Sequence, residues 1–364
     1  FALERYFARW EFSVRHQLSA SDVEPYGLAE LLALADADGQ NRWESLTLGY
    51  AESTGLPALR EEIARMYEHV QPHQVLVVAG AEEGIFLLMH ALLAADDEAI
   101  VVTPAFQSLH AIPRALGARV HDVPLRVERQ WQLDPDDIAR VAGARTRVIT
   151  VNFPHNPTGA HISRDVQGRL VDIADRAGAV LFSDEVYRLL EGDVVERLPP
   201  AADLSERAVS LGVMSKSFAL PGLRIGWLAT RDGALLDRLA RIKDYTTICS
   251  SAPSEVLALI ALRARDQVLE RSRSIVAANR LVAERFFADH QGAASCIPSR
   301  AGSVAFPRFA DRDADEVARG LIERESVLMV PGSILGIDAR LFRLGLGRRD
   351  LPLALEKLGR FLAA

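Results

Sequence analysis

The chain is predicted to be α/β: a large domain with a mostly parallel sheet between helices, plus a smaller α+β domain built from the N- and C-terminal segments. Three observations carry this reading. Short, largely apolar runs alternate with segments of helical period from about residue 75 to residue 245. Strands that are apolar along their whole length belong to a parallel sheet covered on both faces. With 364 residues the chain exceeds the size at which one core usually keeps growing. After Ser251 the alternation gives way to long helical segments followed by mixed strands and helices. The divisions are placed at 1–40, an N-terminal segment joining the small domain, 41–251, the large domain, and 252–364, the small C-terminal domain.

Taken in order, residues 1–15 space Phe1, Tyr6, Phe7, Trp10 and Phe12 at near-helical intervals with charges between them. This predicts an amphipathic helix that packs on its own domain or docks on a partner subunit. Residues 18–25 form a polar loop carrying Asp22, Glu24 and Pro25. A Gly-punctuated loop at 48–56 runs into a helix whose first turn accepts Pro57, since its missing N–H costs nothing there. Strands follow at 75–79, 99–103, 119–124, 147–151, 179–183, 208–214 and 223–230. Helices are expected between them at 82–95, 107–116, 135–141 and 164–177, with another after the last strand at 233–245. The C-terminal part reads as helices at 255–265, 267–289, 314–324 and 351–362, with strands at 303–309, 327–330 and 341–344. No internal repeat or low-complexity tract is present.

Bulk properties narrow the function classes. Hydrophobic residues make up 49% and charged residues 25%, with a net charge of −7. That balance gives no electrostatic reason to expect nucleic acid or an anionic membrane as partner. The longest apolar stretch, 85–95, is broken by His90 and falls short of the roughly 20 residues a membrane span needs. The N-terminus opens on Phe1, and Glu4, Arg5, Arg9 and Glu11 interrupt any signal-peptide core. Cys249 and Cys296 lie far apart, with no C-x-x-C pair and no His/Cys cluster at metal-ligand spacing. Free thiols, a cytoplasmic setting and no metal are therefore expected.

Chemistry-bearing residues gather at predicted strand ends. The chain holds only three lysines, Lys216, Lys243 and Lys357, while the rest of its 42 Lys and Arg are arginine. A mostly apolar run at 208–214 leads into Lys216, and a Pro-Gly turn with Arg224 follows. Most lysines are solvated surface charges. A strand that ends in a lysine and is answered by an arginine can instead hold an amine and an anion together. Residues 79–84 put Gly80, Ala81 and Glu82 between a strand and a helix, where free N–H groups favour an anion. The G-x-G-x-x-G spacing is missing, which removes the main support for a dinucleotide enzyme. A turn rich in Pro and Asn, 152–159, follows a parallel strand at its carboxyl end, where open α/β sheets bind ligands. Its His155 has no evident acid/base partner and is expected to be neutral and hydrogen-bonded. Asp184 ends an apolar strand, so a cation or a helix cap should meet it.

Asn156, the Asp184/Tyr187 pair and Lys216/Arg224, in this chain order, resemble the fold-type-I pyridoxal phosphate enzymes, specifically the class I/II aminotransferases of the aspartate aminotransferase superfamily. The resemblance runs from about Gly49 to Arg343. The stretches 103–109, 151–157 and 305–309 look most like the branch that includes capreomycidine synthase. The resemblance implies that Lys216 forms a Schiff base with the aldehyde of pyridoxal 5′-phosphate and moves a proton during the reaction. It implies that Asp184 pairs with the pyridine nitrogen, and that Tyr187 and Asn156 hydrogen-bond the ring's phenolic oxygen. Phe106 resembles the aromatic that stacks on the ring. The phosphate falls to Ala81 and Glu82 N–H groups, Ser215 and Arg224, and to Tyr50 from the neighbouring subunit, which implies a homodimer with shared active sites. Arg343 matches the arginine that clamps a substrate α-carboxylate, with Asn156 beside it.

Two positions depart from the family pattern. Val213 stands three residues before the lysine, where many relatives carry a hydroxyl that binds phosphate. The N-terminal loop that often reads Gly-x-Pro is Ser21-Asp22-Val23-Glu24-Pro25, and its acids are candidates to face a cationic substrate side chain. The activity implied is transfer of an amino group between an amino acid and a 2-oxo acid. The alternatives are a cyclase or lyase acting on an arginine-like amino acid and a non-catalytic cofactor-binding regulator.

Overall fold

The structure, a computed structural model, describes residues 1–363. Seven strands form the central sheet: β1 Val75–Val78, β2 Glu98–Thr103, β3 Arg119–Pro124, β4 Thr146–Asn152, β5 Val180–Asp184, β6 Ala208–Val213 and β7 Gly226–Ala229. Their order is β1-β7-β6-β5-β4-β2-β3, and β7 alone runs against its neighbours. The fold is thus α/β, as its composition of apolar runs predicts. Along β1, Leu76 and Val78 enter one core while Val75 and Val77 enter another on the opposite face. Ala99 and Val101 of β2 likewise part from Ile100 and Val102. Period-two alternation between two cores explains why these strands read as uninterrupted apolar runs. The exception is β3, whose Arg119, His121 and Asp122 are at least partly exposed. It is one of the two edge strands, and charge there discourages pairing with another chain.

Register brings the chemistry together. Asn152, at the end of β4, pairs with Asp184 at the end of β5, and Asp184 pairs with Leu211 of β6, two residues before that strand ends. Lys216 follows three residues after Val213. Helix Ala81–Leu92 starts directly beyond β1 and packs on β6 and β7.

The C-terminal part has a separate core in which Ile275, Phe309, Phe342 and Leu355 meet Leu18 and Val23 from the N-terminal segment. His16–Gln17 pairs in parallel with Val327–Leu328. Phe342–Gly345 lies between Val304–Ala305 and Val330–Pro331, antiparallel to both. Some boundaries differ from expectation. The strand foreseen at 303–309 is two short strands in different sheets, because Phe306 and Pro307 interrupt it. The strand foreseen from 223 begins at Gly226, after the single turn Pro221–Leu223. The first helix stops at Trp10, and helices Leu28–Leu32 and Ala37–Glu44 were not foreseen. Helix Ala252–Arg263 packs against Ala37–Glu44 and Pro57–Ala64, so its residues share the core of the large sheet. No helix among the described residues is long and apolar enough to cross a membrane.

Candidate active site

A cavity of about 640 Å³ opens at the carboxyl ends of β4, β5 and β6. Ala81, Glu82, Phe106, Asn156, Asp184, Tyr187, Ser215, Lys216, Arg224 and Arg343 all line it. Ten positions chosen from the sequence thus converge, although they are spread over some 260 residues of chain. Tyr50 does not join them: its side chain is 93% exposed.

Lys216 is half-buried in the turn after β6 and donates to Ser21 Oγ at 2.8 Å. Its Nζ also lies 5.7 Å from the centre of the Tyr187 ring. Ser217 fixes the turn by donating to the carbonyls of Arg188 and Val186. Of the other lysines, Lys243 is buried outside the cavity and donates to the carbonyls of Ser53 and Ile248. Lys357 is tied to Glu325.

Asp184 is 4% exposed. Burial pushes its carboxyl up to about 7, against the opposing pull of the Val186 N–H and the charge of Lys216. Asn152, absent from the sequence-derived set, orders this end of the sheet. Its amide donates to the Asp184 carbonyl at 2.8 Å, and its oxygen accepts the Asn156 N–H at 2.9 Å. Tyr187 Oη and Asn156 Oδ1 are buried with no hydrogen-bond partner among the described residues. Buried polar atoms are normally satisfied, so two orphans at one cavity wall mark where a ligand's polar atom belongs. His155 is buried, bonds Thr158 Oγ1 at 2.8 Å through Nδ1, and is held neutral by burial, outside the cavity lining.

The anion end is built on glycine. Gly80 has φ +82°, and a Cβ there would lie 2.7 Å from Arg224 Nη2. A Cβ on Gly226 would press on Gly80 and Ala81 backbone at 3.0–3.2 Å. These two glycines let the arginine, the strand end and the helix start crowd together. No side chain caps helix Ala81–Leu92 at its first residue, so its N–H groups face the cavity region where Ser215 and Arg224 lie. Glu82 accepts from Ser108 Oγ at 2.5 Å, and burial raises its carboxyl. Val213 lines the wall without a hydroxyl to offer.

Arg343 is 1% exposed on strand Phe342–Gly345. Its Nε donates to the Ser19 carbonyl at 3.0 Å, its guanidinium lies 5.7 Å from the Phe7 ring centre, and Nη2 has no partner among the described residues. A buried cation with a free donor calls for an anion. The loop around Ser19 is seated by two glycines the sequence did not flag: a Cβ on Gly345 would meet Ala20 O at 2.0 Å, and one on Gly347 would meet Asp22 O at 2.2 Å. Asp22 lines the cavity, but both its oxygens accept from Arg348 Nη2 at 2.9–3.0 Å. Glu24 instead lies outside the lining, 3.4 Å from the Arg349 N–H.

Lys216, the buried Asp184 carboxylate and Arg224 gather at strand ends of the open α/β sheet, and Arg343 faces them from a strand of the C-terminal part, a set that suits an aromatic, phosphate-bearing cofactor and a carboxylate ligand. Residues 30–351 match the model of the family "Aminotransferase class I and II", and the chain belongs to that family. It is 34% identical to capreomycidine synthase of Streptomyces vinaceus over 98% of this chain and 93% of that protein. It is 30% identical to arginine–pyruvate transaminase AruH of Pseudomonas aeruginosa, over 91% of this chain and 88% of that one. A crystal structure of a PLP-dependent aminotransferase from Streptococcus suis superposes with a TM-score of 0.93 at 29% identity, covering 100% and 97% of the two chains. The cofactor of the enzyme is pyridoxal 5′-phosphate.

Proposed function

We propose that the enzyme transfers an amino group between an amino acid and a 2-oxo acid, with Lys216 as the residue bonded to the cofactor and as the acid/base group. The observation that carries this is the set of orphaned buried donors and acceptors, Tyr187 Oη, Asn156 Oδ1 and Arg343 Nη2, around one cavity with Lys216 and Asp184. Bound pyridoxal phosphate supplies an electron sink for the electron pair released when a substrate Cα loses its proton. Asp184 would hold a proton on the ring nitrogen, and that ion pair would draw its carboxyl back to the ionised form. Tyr187 and Asn156 would bind the phenolic oxygen, and Phe106 would cover the ring face. Ser215, Arg224 and the Ala81 and Glu82 N–H groups would hold the phosphate. Arg343 would clamp the substrate α-carboxylate with Asn156 beside it, leaving Cα near Lys216 Nζ for the proton to move.

We place the enzyme in the cytoplasm as a homodimer. Tyr50 and Leu48 are exposed on one loop, Tyr245 and Ile248 on another, and Lys243 links the two through Ser53 and Ile248. Four exposed apolar side chains on linked loops fit burial against a second copy. That copy would then receive Tyr50 at its phosphate. The separate C-terminal core supports a small domain that takes in Leu18 and Val23, but helices Leu28–Leu32 and Ala252–Arg263 pack in the core of the large lobe, so the divisions we propose lie before Leu28 and after Arg263 in place of residues 40 and 251.

The likeness to capreomycidine synthase favours a second reading, a cyclase or lyase acting on an arginine-like amino acid. Single-turnover mixing with individual amino acids separates the two. Transamination bleaches the visible absorbance of the bound cofactor and releases the matching 2-oxo acid. Ammonia or a cyclised product in its place would establish the second reading, and no spectral response to any amino acid would leave a regulator.

A further inference from the structure

The N-terminal helix Ala2–Trp10 lies at the mouth of the cavity. Phe1 meets the Phe106 ring edge-on at 5.1 Å, the Ala2 N–H donates to Gln107 Oε1 at 2.8 Å, and Tyr6 Oη donates to the Met329 carbonyl at 2.8 Å. This seating turns Leu3, Glu4, Phe7 and Glu11 toward the cavity. Neither the Glu4 nor the Glu11 carboxylate has a hydrogen-bond or ion-pair partner among the described residues. Glu11 is half-buried, and burial together with Asp22 and Glu4 raises its carboxyl against the opposing pull of the Arg348 and Lys216 charges. Glu4 is exposed and Glu11 half-buried, so two neighbouring carboxylates face the cavity with no direct partner.

The cavity's cations are already engaged. Arg348 is bound to Asp22. On the function proposed above, on which this inference rests, Arg224 answers the phosphate, Arg343 the α-carboxylate and Lys216 the cofactor. Two carboxylates at the mouth are left over. The orphaned Arg343 Nη2, buried in the same cavity, independently points to a ligand whose carboxylate lies inward. We propose that Glu4 and Glu11 form the side-chain subsite and select α-amino acids with a cationic side chain, the carboxylate going to Arg343 and the cation to the helix. Asp22, the acid legible in the sequence, positions Arg348 instead of meeting the substrate.

Two unreactive carboxylates test this on the holoenzyme: 5-guanidinopentanoate and its neutral counterpart 5-ureidopentanoate, neither of which carries an α-amino group. By calorimetry the wild type should prefer the guanidino compound by about tenfold or more, equivalent to ~1.4 kcal/mol. Glu11→Gln should remove most of that preference and Glu4→Gln,Glu11→Gln all of it, with the ureido affinity unchanged. In turnover with arginine, the same variants should raise KM and leave kcat near its wild-type value. An undiminished preference in the double variant would overturn the proposal. So would an equal loss for both ligands, because the acids would then only balance Arg343 and Arg348. The single variants guard against misfolding of the double one. If a guanidino preference that depends on Glu11 persists while no amino acid yields a 2-oxo acid, the subsite stands and transamination alone is lost.

Discussion

The two ends of the cavity are built differently. At the cofactor end, Asn156, Asp184 and Lys216 follow adjacent parallel strands whose register is fixed by continuous ladders through two buried faces. At the substrate end, Arg343 sits on a four-residue strand, and its neighbours come from a helix and loop attached to the C-terminal part through a two-residue pairing, single backbone bonds such as Gly345 N–H to the Leu18 carbonyl and Glu24 N–H to the Gly347 carbonyl, and side-chain contacts. On the proposed function, chemistry common to all substrates is held by the sheet, whereas the parts that choose a substrate belong to short, separately seated segments. Such parts can change without disturbing the sheet.

Damage at the cofactor end should abolish the chemistry whatever the substrate. Asp184→Asn should lower kcat by about 10²–10³-fold, the usual cost of removing one preorganised electrostatic group, with amino acids of every class affected alike. The same variant carries a pH signature in the cofactor-free protein. The folded Asp184 keeps its proton up to about 7, against 3.8 ordinarily, so the folded state binds more protons than the unfolded one between those values. Its contribution to stability is present below about 4, falls as pH rises towards 7, and is flat above. Thermal unfolding of the cofactor-free protein should show that slope in the wild type and lose it in Asp184→Asn.

At the substrate end the effects should be smaller and fall on binding. Arg343→Ala should cost about 10–100-fold in kcat/KM, as for a lost hydrogen bond to a charged group, while cofactor affinity holds. Steady-state kinetics alongside cofactor titration separates the two. Gly345→Ala would drive a Cβ to 2.0 Å from Ala20 O, so it should destabilise the protein by about 1–3 kcal/mol and displace the Ser19–Asp22 loop. Denaturant unfolding reads the first consequence, and a raised KM reads the second. The mildest change is Tyr50→Phe, expected to weaken cofactor binding about 3–10-fold, the worth of one hydrogen bond, and only in the associated enzyme.

The same contrast governs what the sequence revealed. Strand-end residues were legible because apolar runs locate the strands, and the residue just past each run is where a parallel sheet presents ligand groups. Asp184 and Lys216 were found in this way. Asn152 was missed because it closes an apolar strand as a capping amide would, and nothing local says that it bonds both the Asp184 carbonyl and the Asn156 N–H. Glu4 and Glu11 looked like solvated charges on an amphipathic helix, since the distance from residue 11 to the cavity is set by contacts with Phe106, Gln107 and Met329 far along the chain. Asp22 was singled out for its carboxylate, but its partner Arg348 lies 326 residues away and could not be paired with it from spacing. Gly345 and Gly347 sit in a run that reads as an ordinary strand end, and only the loop crossing above them shows why a Cβ is forbidden.

The central claim is that Lys216, and neither of the other two lysines, bonds the cofactor. Borohydride reduction of the holoenzyme followed by peptide mapping tests it most directly. The account predicts one cofactor-modified peptide, carrying Lys216, and none after Lys216→Ala. A cofactor fixed on Lys243 or Lys357 in the wild type would contradict it.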